Sequence, residues 1–413
     1  MYIKKVDLKK SFRELFAFMA ILMTILMSKT YYFGVANRSL YQYVYYVVVV
    51  LLFLVFPIKI KKLVNAHKGT IVLITLMIIS YIWHMGEMNA SQSNQVIGTI
   101  LMFEIVTCMS VFISPEVFSK WYVRILIGIA IISIPCFVIA VTNPSLALSF
   151  CQPGYDWQTP AGYSFFYLWG INGVISTRNA GPFWEPGAFQ GFLILAILML
   201  VLEVDNKLLK HRKLYFVILT ITLLTTQSTT GYIIFLFIVV FFWKKIQKLF
   251  EGKYAKTFTR FLIALMAIMA VSYIIGSGNI SSKISGLQTE SSIIRSRDIV
   301  GGMSMIAKAG LFGLGETANR DFMKMLLGIN KDDSVGLFAM IYTYGIVFGF
   351  FYILIALRGI KKFFKVDKLK NYVPLIIIFL ILHLTEGLWF LPVYIYITIC
   401  DTNSVVGIKE NQG

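Results

Sequence analysis

The amino-acid sequence predicts an all-α polytopic membrane protein, and two observations support that fold class. Hydrophobic residues occupy 58% of the 413 positions and charged residues only 14%, which is more apolar surface than a soluble domain of this length can bury. Apolar stretches of about 17–25 residues, the length that crosses a bilayer core, recur along the chain and are separated by short basic clusters. The whole chain, 1–413, is therefore expected to form a single integral membrane domain.

About twelve transmembrane helices are predicted from these stretches, in order along the chain. Their expected bounds are Phe12–Phe33, Leu40–Ile58, Thr70–Met88, Val96–Ser114, Ile125–Thr142, Gly187–Val204, Leu214–Gln227, Thr230–Trp243, Phe261–Gly276, Val335–Leu357, Tyr372–Thr385 and Leu388–Cys400.

The seventh and eighth stretches form one unit, because residues 214–243 are long for one span and short for two. Basic clusters flank this unit on both sides, at residues 210–213 and 244–245. If both clusters face the cytoplasm, the unit crosses an even number of times. We therefore expect a tight hairpin or re-entrant pair with "TTQSTTG", residues 225–231, at its tip.

The positive-inside rule places both termini in the cytoplasm, since most of the 38 Lys and Arg then fall in inside segments. The net charge of +18 thus indicates membrane orientation rather than binding to nucleic acid. Two segments on the outside are long, residues 143–186 and 277–334. The four cysteines and four histidines are scattered, which predicts no disulfide framework, no metal and no cofactor.

The first long segment is rich in aromatic residues and ends in "TRNAGPFWEPGAF", where Arg178 and Glu185 flank the start of a span. The aromatic side chains suit either a membrane-interface belt or a surface on which sugar rings stack. Glu185 is expected to fix the pose of Arg178 or to contact an acceptor sugar; the alternative is a salt bridge that only closes the loop. Pro186 and Gly187 are expected to begin the span.

The second long segment contains "RSRDIVGGMSMIAKAGLFGLG", in which Arg295 and Arg297 precede a helix-like apolar pattern and a glycine-rich turn. This pattern predicts an amphipathic helix on the outer surface. The planar fork of arginine suits bidentate contact with phosphate, either of a lipid headgroup or of a substrate. No ATP or nucleotide-sugar is present outside the membrane, so a glycosyl transfer there needs a lipid-linked donor, whose diphosphate these arginines would bind.

These motifs, together with "LTTQSTTGY" and "DDSVGLFAMIYTYG", resemble the O-antigen polymerase and ligase superfamily over about the last 60% of the chain. The resemblance implies a GT-C-like architecture and a metal-independent glycosyltransferase in the bacterial inner membrane, with its active site facing outside. It implies undecaprenyl-diphosphate-linked oligosaccharides as substrates. Membrane lipids, a chain-length regulator and a flippase are the implied partners. The product would be O-antigen, capsule or another exopolysaccharide.

The resemblance also implies roles for particular residues. Ligases of the superfamily carry a His-Asn pair where this chain has Asp332-Asp333, so the chain looks closer to the polymerases and the general base stays open. Asp332 and Asp333 also suit a helix N-cap. The candidate catalytic residues are Arg178, Glu185, Arg295 and Asp333, and the candidate substrate-binding residues are Arg297, Asp332, Trp184, Arg320 and Glu386.

Three other functions compete with a polymerase. A ligase would move finished glycan to another acceptor. A transporter or flippase for lipid-linked glycan would show inverted repeats and charges near the midplane, and the sequence has no evident two-fold repeat. A structural membrane protein would need neither the arginines nor the carboxylates at the ends of its spans.

Overall fold

The computed structural model describes residues 8–55, 68–153, 162–171, 174–205, 209–250, 290–316 and 336–400. Within these ranges the chain is mostly helical, as the predicted all-α class requires. The strands there are only two residues long and form two antiparallel pairs, Gln152–Pro153 with Gly162–Tyr163 and Gly170–Ile171 with Val174–Ile175. Both pairs lie in the first long segment.

The helices of the described ranges are numbered here in chain order. They are α1 (Leu8–Leu26), a π-helix (Tyr31–Ala36), α2 (Arg38–Val55), α3 (Lys68–His84), α4 (Ala90–Phe112), α5 (Pro115–Thr142), α6 (Pro144–Ser149), α7 (Pro186–Val201), α8 (Arg212–Thr225), α9 (Thr229–Phe241), α10 (Trp243–Leu249), α11 (Glu290–Ala309), α12 (Gly336–Tyr344), α13 (Ile346–Phe363), α14 (Leu369–Thr385) and α15 (Pro392–Ile399).

Two of the described helices, α4 and α5, are long and apolar enough on their own to cross a membrane. The pair α9 and α10 would make a third span if it is counted as one, although it bends by 82° at its break. Several other apolar helices are shorter, among them α3, α7 and α14. The described helices therefore suit a membrane protein, while the number twelve stays a prediction. The predicted span Phe261–Gly276 lies outside the described residues.

The first predicted span, Phe12–Phe33, is wrong at its C-terminal end, because α1 stops at Leu26. Lys29 has a left-handed backbone with φ of +59°, which an α-helix cannot contain. Thr30 is then extended and forms a β-bridge with Phe183. The helix therefore ends before the residues that pair with the first long segment.

The predicted span Val335–Leu357 is also wrong as a single helix, because Gly345 separates α12 from α13 with φ of +98°. The glycine turn that follows α11 docks at this break. Leu314 N–H donates to the Tyr342 carbonyl at 2.8 Å, and Ile346 N–H donates to the Gly310 carbonyl at 3.2 Å. A Cβ at Gly345 would overlap the Leu311 carbonyl, so the contact depends on glycine.

The hairpin predicted around residues 225–231 is confirmed by α8 and α9, which are joined by a tight turn at Thr226–Ser228. Gln227 in that turn has φ of +48°. Both helices are short, at 14 and 13 residues. The last predicted span, Leu388–Cys400, is shorter than expected, because residues 386–391 are irregular and α15 begins at Pro392.

Helix α7 lies at the centre of the bundle. Its side chains from Ala188 to Val201 are buried on every face, as expected of a helix that is apolar all round. It packs against α5, α8 and α9. Its first residue, Pro186, marks what we call the loop end of the bundle, where Lys29, the turn Thr226–Ser228 and residues 386–390 also lie.

The opposite end of the bundle is the basic end, which contains Glu116, Asp205, Arg212 and Lys365. Here the loop between α7 and α8 is closed by a buried ion pair between Arg212 and Asp205. Arg212 also donates to the Leu200 carbonyl at the end of α7. Lys365, which follows α13, pairs with Glu116 in the first turn of α5.

Candidate functional site

The candidate site surrounds the start of α7, and its first part is the junction segment, residues 178–185. Asn179 anchors one end of this segment to the hairpin. Its backbone N–H donates to the Thr225 carbonyl at 2.9 Å, and its side-chain amide donates to Thr225 Oγ1 at 2.8 Å and to Ser133 Oγ at 3.1 Å. Asn179 Oδ1 accepts from Gly181 N–H. This buried side chain therefore makes hydrogen bonds to α5, to the hairpin and to the junction segment.

The other end of the junction segment is anchored to the chain that follows α1. Tyr31 N–H donates to the Pro182 carbonyl at 2.7 Å. Phe183 is fully buried and its ring stacks on those of Phe189 and Phe192 in α7. The junction segment is therefore held between the hairpin, the first helix and α7.

Arg178 lies where the junction segment meets the hairpin turn. Its Nε–H donates to the Thr226 carbonyl at 3.1 Å, and Gln227 donates to the neighbouring Thr177 carbonyl at 3.1 Å. Ser176 Oγ accepts from the Arg178 backbone N–H at 3.1 Å. The half-buried guanidinium is thus bonded to a backbone oxygen of the hairpin turn. These contacts place the hairpin turn against residues 177 and 178.

Glu185 is the residue before the first turn of α7, and Pro186 is the first helical residue, as predicted. The Glu185 side chain does not cap this helix. Instead Trp184 Nε1–H donates to Glu185 Oε1 at 2.6 Å. The Thr226 carbonyl is thus one partner of Arg178, and the Trp184 indole is one partner of Glu185. That Glu185 fixes the pose of Arg178 stays a prediction.

Glu386 follows α14 in an extended conformation and is only 8% exposed. Its carboxylate lies against Gly187 in the first turn of α7, where a Cβ would overlap Oε1. The glycine of "EPG" therefore leaves room for this carboxylate, and the partial positive charge of a helix N-terminus favours an anion there. Glu386 thus lies beside the start of α7, while its contact with a substrate stays a prediction.

The same segment contacts the start of α12. A Cβ at Gly336 would overlap Cα of Gly387 and would crowd the Glu386 carbonyl. The starts of α7 and α12 therefore both lie against residues 386–387. Asp332 and Asp333 precede Gly336 in the sequence, but they lie outside the described residues, as does Arg320.

Lys29 is a residue of this site that the sequence did not reveal. Its Nζ lies 5.2 Å from the centroid of the Trp184 ring and 4.8 Å from that of Phe390. A lysine within a predicted span could have a buried acid as its partner, and Glu104 in the fourth predicted span is one possibility. Glu104 is exposed on α4, so the structure instead places Lys29 between aromatic rings. The left-handed backbone that directs it there has no signature in the sequence.

Arg295 and Arg297 lie in α11, and the part of the structure that is described does not include their side chains. The predicted helix and the glycine turn after it are both present. The helix packs on α12 through Met305, Ala309 and Tyr342. It is therefore part of the bundle on one side, while Val300 and Met303 are exposed on the other.

Of the described aromatic residues of the first long segment, three are turned into the fold rather than towards a sugar. Tyr163, Tyr167 and Trp169 are buried. Tyr167 and Trp169 pack with each other in an edge-to-face contact, and Tyr163 packs on Tyr31. These rings stabilise the folded segment, whereas Trp184 is half-buried beside Glu185 and Lys29.

Gln190, one turn into α7, is fully buried, and neither atom of its amide has a hydrogen-bond partner in the described structure. Its Oε1 lies where a Cβ of Gly231 in α9 would be. A buried amide without partners costs about 1–3 kcal/mol. Within the described ranges, no group of three or more His, Cys, Asp or Glu side chains is arranged to hold a metal ion.

No protein-family model matches the chain, and no curated protein matches its sequence. An arginine, a lysine and two carboxylates lie around the start of one buried apolar helix. Such a set can bind an anionic group and can accept a proton from a hydroxyl beside it.

Proposed function

We propose that the protein is a multi-pass glycosyltransferase of the bacterial inner membrane that polymerises oligosaccharide repeat units carried on undecaprenyl diphosphate. In this proposal both termini are cytoplasmic, twelve helices span the membrane and the loop end faces outside. The observation that carries the proposal is the meeting of the junction segment, the hairpin turn and residues 386–387 at the start of α7. The resemblance of the same segments to the O-antigen polymerases and ligases supports it.

The reaction assigns a role to each charge. A hydroxyl of the acceptor glycan attacks the anomeric carbon of the donor, the bond from that carbon to the diphosphate oxygen breaks, and the diphosphate leaves with the electron pair. Arg178, with Arg295 and Arg297 from α11, binds the diphosphate and stabilises its growing charge. The proton of the hydroxyl passes to a carboxylate.

Three carboxylates are candidates for the general base, namely Glu185, Glu386 and Asp333. Glu386 is the more buried of the two that the structure describes, and it lies against the start of α7. Asp332, Arg320 and Trp184 are proposed to contact the sugars or the lipid headgroup.

The first experiment deletes the gene and measures the surface glycan of the cells. A polymerase mutant retains single repeat units and loses long chains. Loss of attached glycan with lipid-linked polymer still present would instead indicate the ligase, and repeat units trapped in the cytoplasm would indicate a flippase. An unchanged glycan would refute all three functions.

The second experiment identifies the base with purified protein and lipid-linked repeat units. The variants are Glu185→Gln, Glu386→Gln, Asp332→Asn and Asp333→Asn. Glu87→Gln is the control, because its carboxylate is 72% exposed and contacts His84. The base variant is expected to lose at least about a hundredfold in rate while it still binds the donor. Native rates in all four variants would exclude these carboxylates as the base.

A further inference from the structure

Lys29 differs from an ordinary packing lysine in its backbone. It is one of the few non-glycine residues with positive φ in the described ranges. Gly34 fits against it so closely that a Cβ there would lie 2.9 Å from both Lys29 N and Lys29 Cα. A left-handed residue of this kind is costly and persists only where its surroundings determine it. The fold therefore specifies the backbone conformation at Lys29, and its ammonium group lies beside the rings of Trp184 and Phe390.

The ammonium group of Lys29 lies beside two aromatic rings. The rings of Trp184 and Phe390 hold the ammonium by cation–π attraction and displace part of its water, which strengthens its attraction to a negative charge. Lys29 and both rings are half-buried. They thus lie near the surface of the loop end, where a charged group can approach.

Lys29 and Arg178 lie at opposite ends of the junction segment. Arg178 precedes Asn179, which is bonded to the hairpin. Lys29 precedes Thr30, which forms the bridge with Phe183. A protein that joins two lipid-linked glycans holds two diphosphates, one on the donor and one on the acceptor, and it needs a cationic contact for each.

From this geometry we infer that Lys29 is a further binding residue for the diphosphate headgroup of a lipid-linked glycan, separate from the contact made by Arg178. The inference rests on the proposed function. Lysine presents a compact charge and no planar fork, which suits a diphosphate that is held without developing new charge.

The test measures how many molecules of radiolabelled undecaprenyl diphosphate the full-length protein binds in nanodiscs. The native chain is expected to bind two. Lys29→Gln is expected to weaken one of them by tenfold or more, the loss of about one charge-assisted hydrogen bond, and Lys29→Arg to restore it. Lys120→Gln is the matched control, because Lys120 lies over Trp121 at the other end of the bundle, 5.6 Å from its ring centroid.

The number of bound lipids shows whether Lys29 and Arg178 contact two different diphosphates or the same one. If Lys29→Gln removes one of two sites and Arg178→Gln removes the other, Lys29 binds a second lipid. If the native chain binds one lipid and both variants weaken it, Lys29 contacts the same diphosphate as Arg178. Native binding in Lys29→Gln overturns the inference, whereas a native chain that binds no lipid diphosphate refutes the proposed function itself.

Stability is measured for each variant by thermal unfolding. All the substitutions keep an L-residue at the left-handed position, so the backbone cost is the same. If Lys29→Gln is poorly folded, Lys29→Met replaces it, because its unbranched side chain still packs between the two rings. Weakened binding in a folded Lys29→Met protein supports the inference, and native binding refutes it.

Discussion

At the basic end, Asp205 and Arg212 pair directly and are 0% and 9% exposed, whereas at the loop end Arg178 and Lys29 are half-buried and contact a carbonyl oxygen and two aromatic rings. A buried pair leaves an uncompensated charge if one partner is removed. Replacing a half-exposed cation should change the free energy of unfolding only a little, because water already solvates its charge. The same residue types thus form a buried ion pair at one end, and lie half-buried beside the start of α7 at the other.

The largest expected effect tests whether the two ends lie on opposite sides of the membrane. Thr177→Cys at the loop end and His211→Cys at the basic end are both exposed positions. An impermeant maleimide should label Thr177→Cys in intact cells and label His211→Cys only after permeabilisation, because the basic clusters hold their end inside. The native protein, which has four cysteines, gives the background.

Labelling of both positions from outside would contradict the placement of the two ends on opposite sides of the membrane, and the proposal of a lipid-linked donor depends on that placement. Labelling of His211→Cys alone would show that the bundle has the opposite orientation in the membrane. The loop end would then face the cytoplasm, where nucleotide-sugars are present, and a lipid-linked donor would no longer be required.

The buried pair at the basic end is expected to dominate stability. Asp205→Asn keeps the shape of the side chain but removes the charge that Arg212 meets. The free energy of unfolding should fall by about 3 kcal/mol, measured by denaturant unfolding in detergent. Glu203→Gln is the control in the same turn and should change it by less than about 1 kcal/mol. Equal stability of Asp205→Asn and the native protein would contradict a structural role.

The corresponding substitution at the loop end is Arg178→Gln. It should slow polymerisation about a hundredfold, equivalent to about 3 kcal/mol of activation free energy, and lower the free energy of unfolding by no more than about 1 kcal/mol. Arg178→Lys should restore only part of the rate, since lysine lacks the planar fork. A variant with a native rate, or one that loses stability as Asp205→Asn does, would remove the distinction between the two ends.

The sequence predicted part of this arrangement because some signals are local. Pro186 at a helix start, the turn between α8 and α9 and the helix that contains Arg295 all depend on neighbouring residues, and each is found. The contact of Glu386 with Gly187 could not be predicted, because it depends on the packing of helices that are distant in sequence. The break at Gly345 was missed for the same reason, since its partner is the turn at Gly310.

A smaller effect is expected from Gly187→Ala, which tests that distant contact. The added methyl group would overlap the Glu386 carboxylate, and overpacking of this kind costs about 1–3 kcal/mol. The double variant Gly187→Ala with Glu386→Ala removes the overlap and should recover most of the lost unfolding free energy. If the double variant lost as much unfolding free energy as the two single variants together, the residues would not interact.

The smallest expected effect concerns Lys365 and Glu116, the second ion pair of the basic end. Its side chains are 35% and 24% exposed, so water screens the pair and its contribution should be below about 1 kcal/mol. Lys365→Gln and Glu116→Gln should each lower the unfolding free energy by less than that amount, and the loss should shrink at 1 M salt, where the screening length falls to about 3 Å. The loss in Asp205→Asn should persist at the same salt concentration, because the pair with Arg212 is buried. If Lys365→Gln destabilised the protein as much as Asp205→Asn does, the proximity of opposite charges rather than their burial would determine stability at the basic end. Burial would then not explain the difference between the two ion pairs.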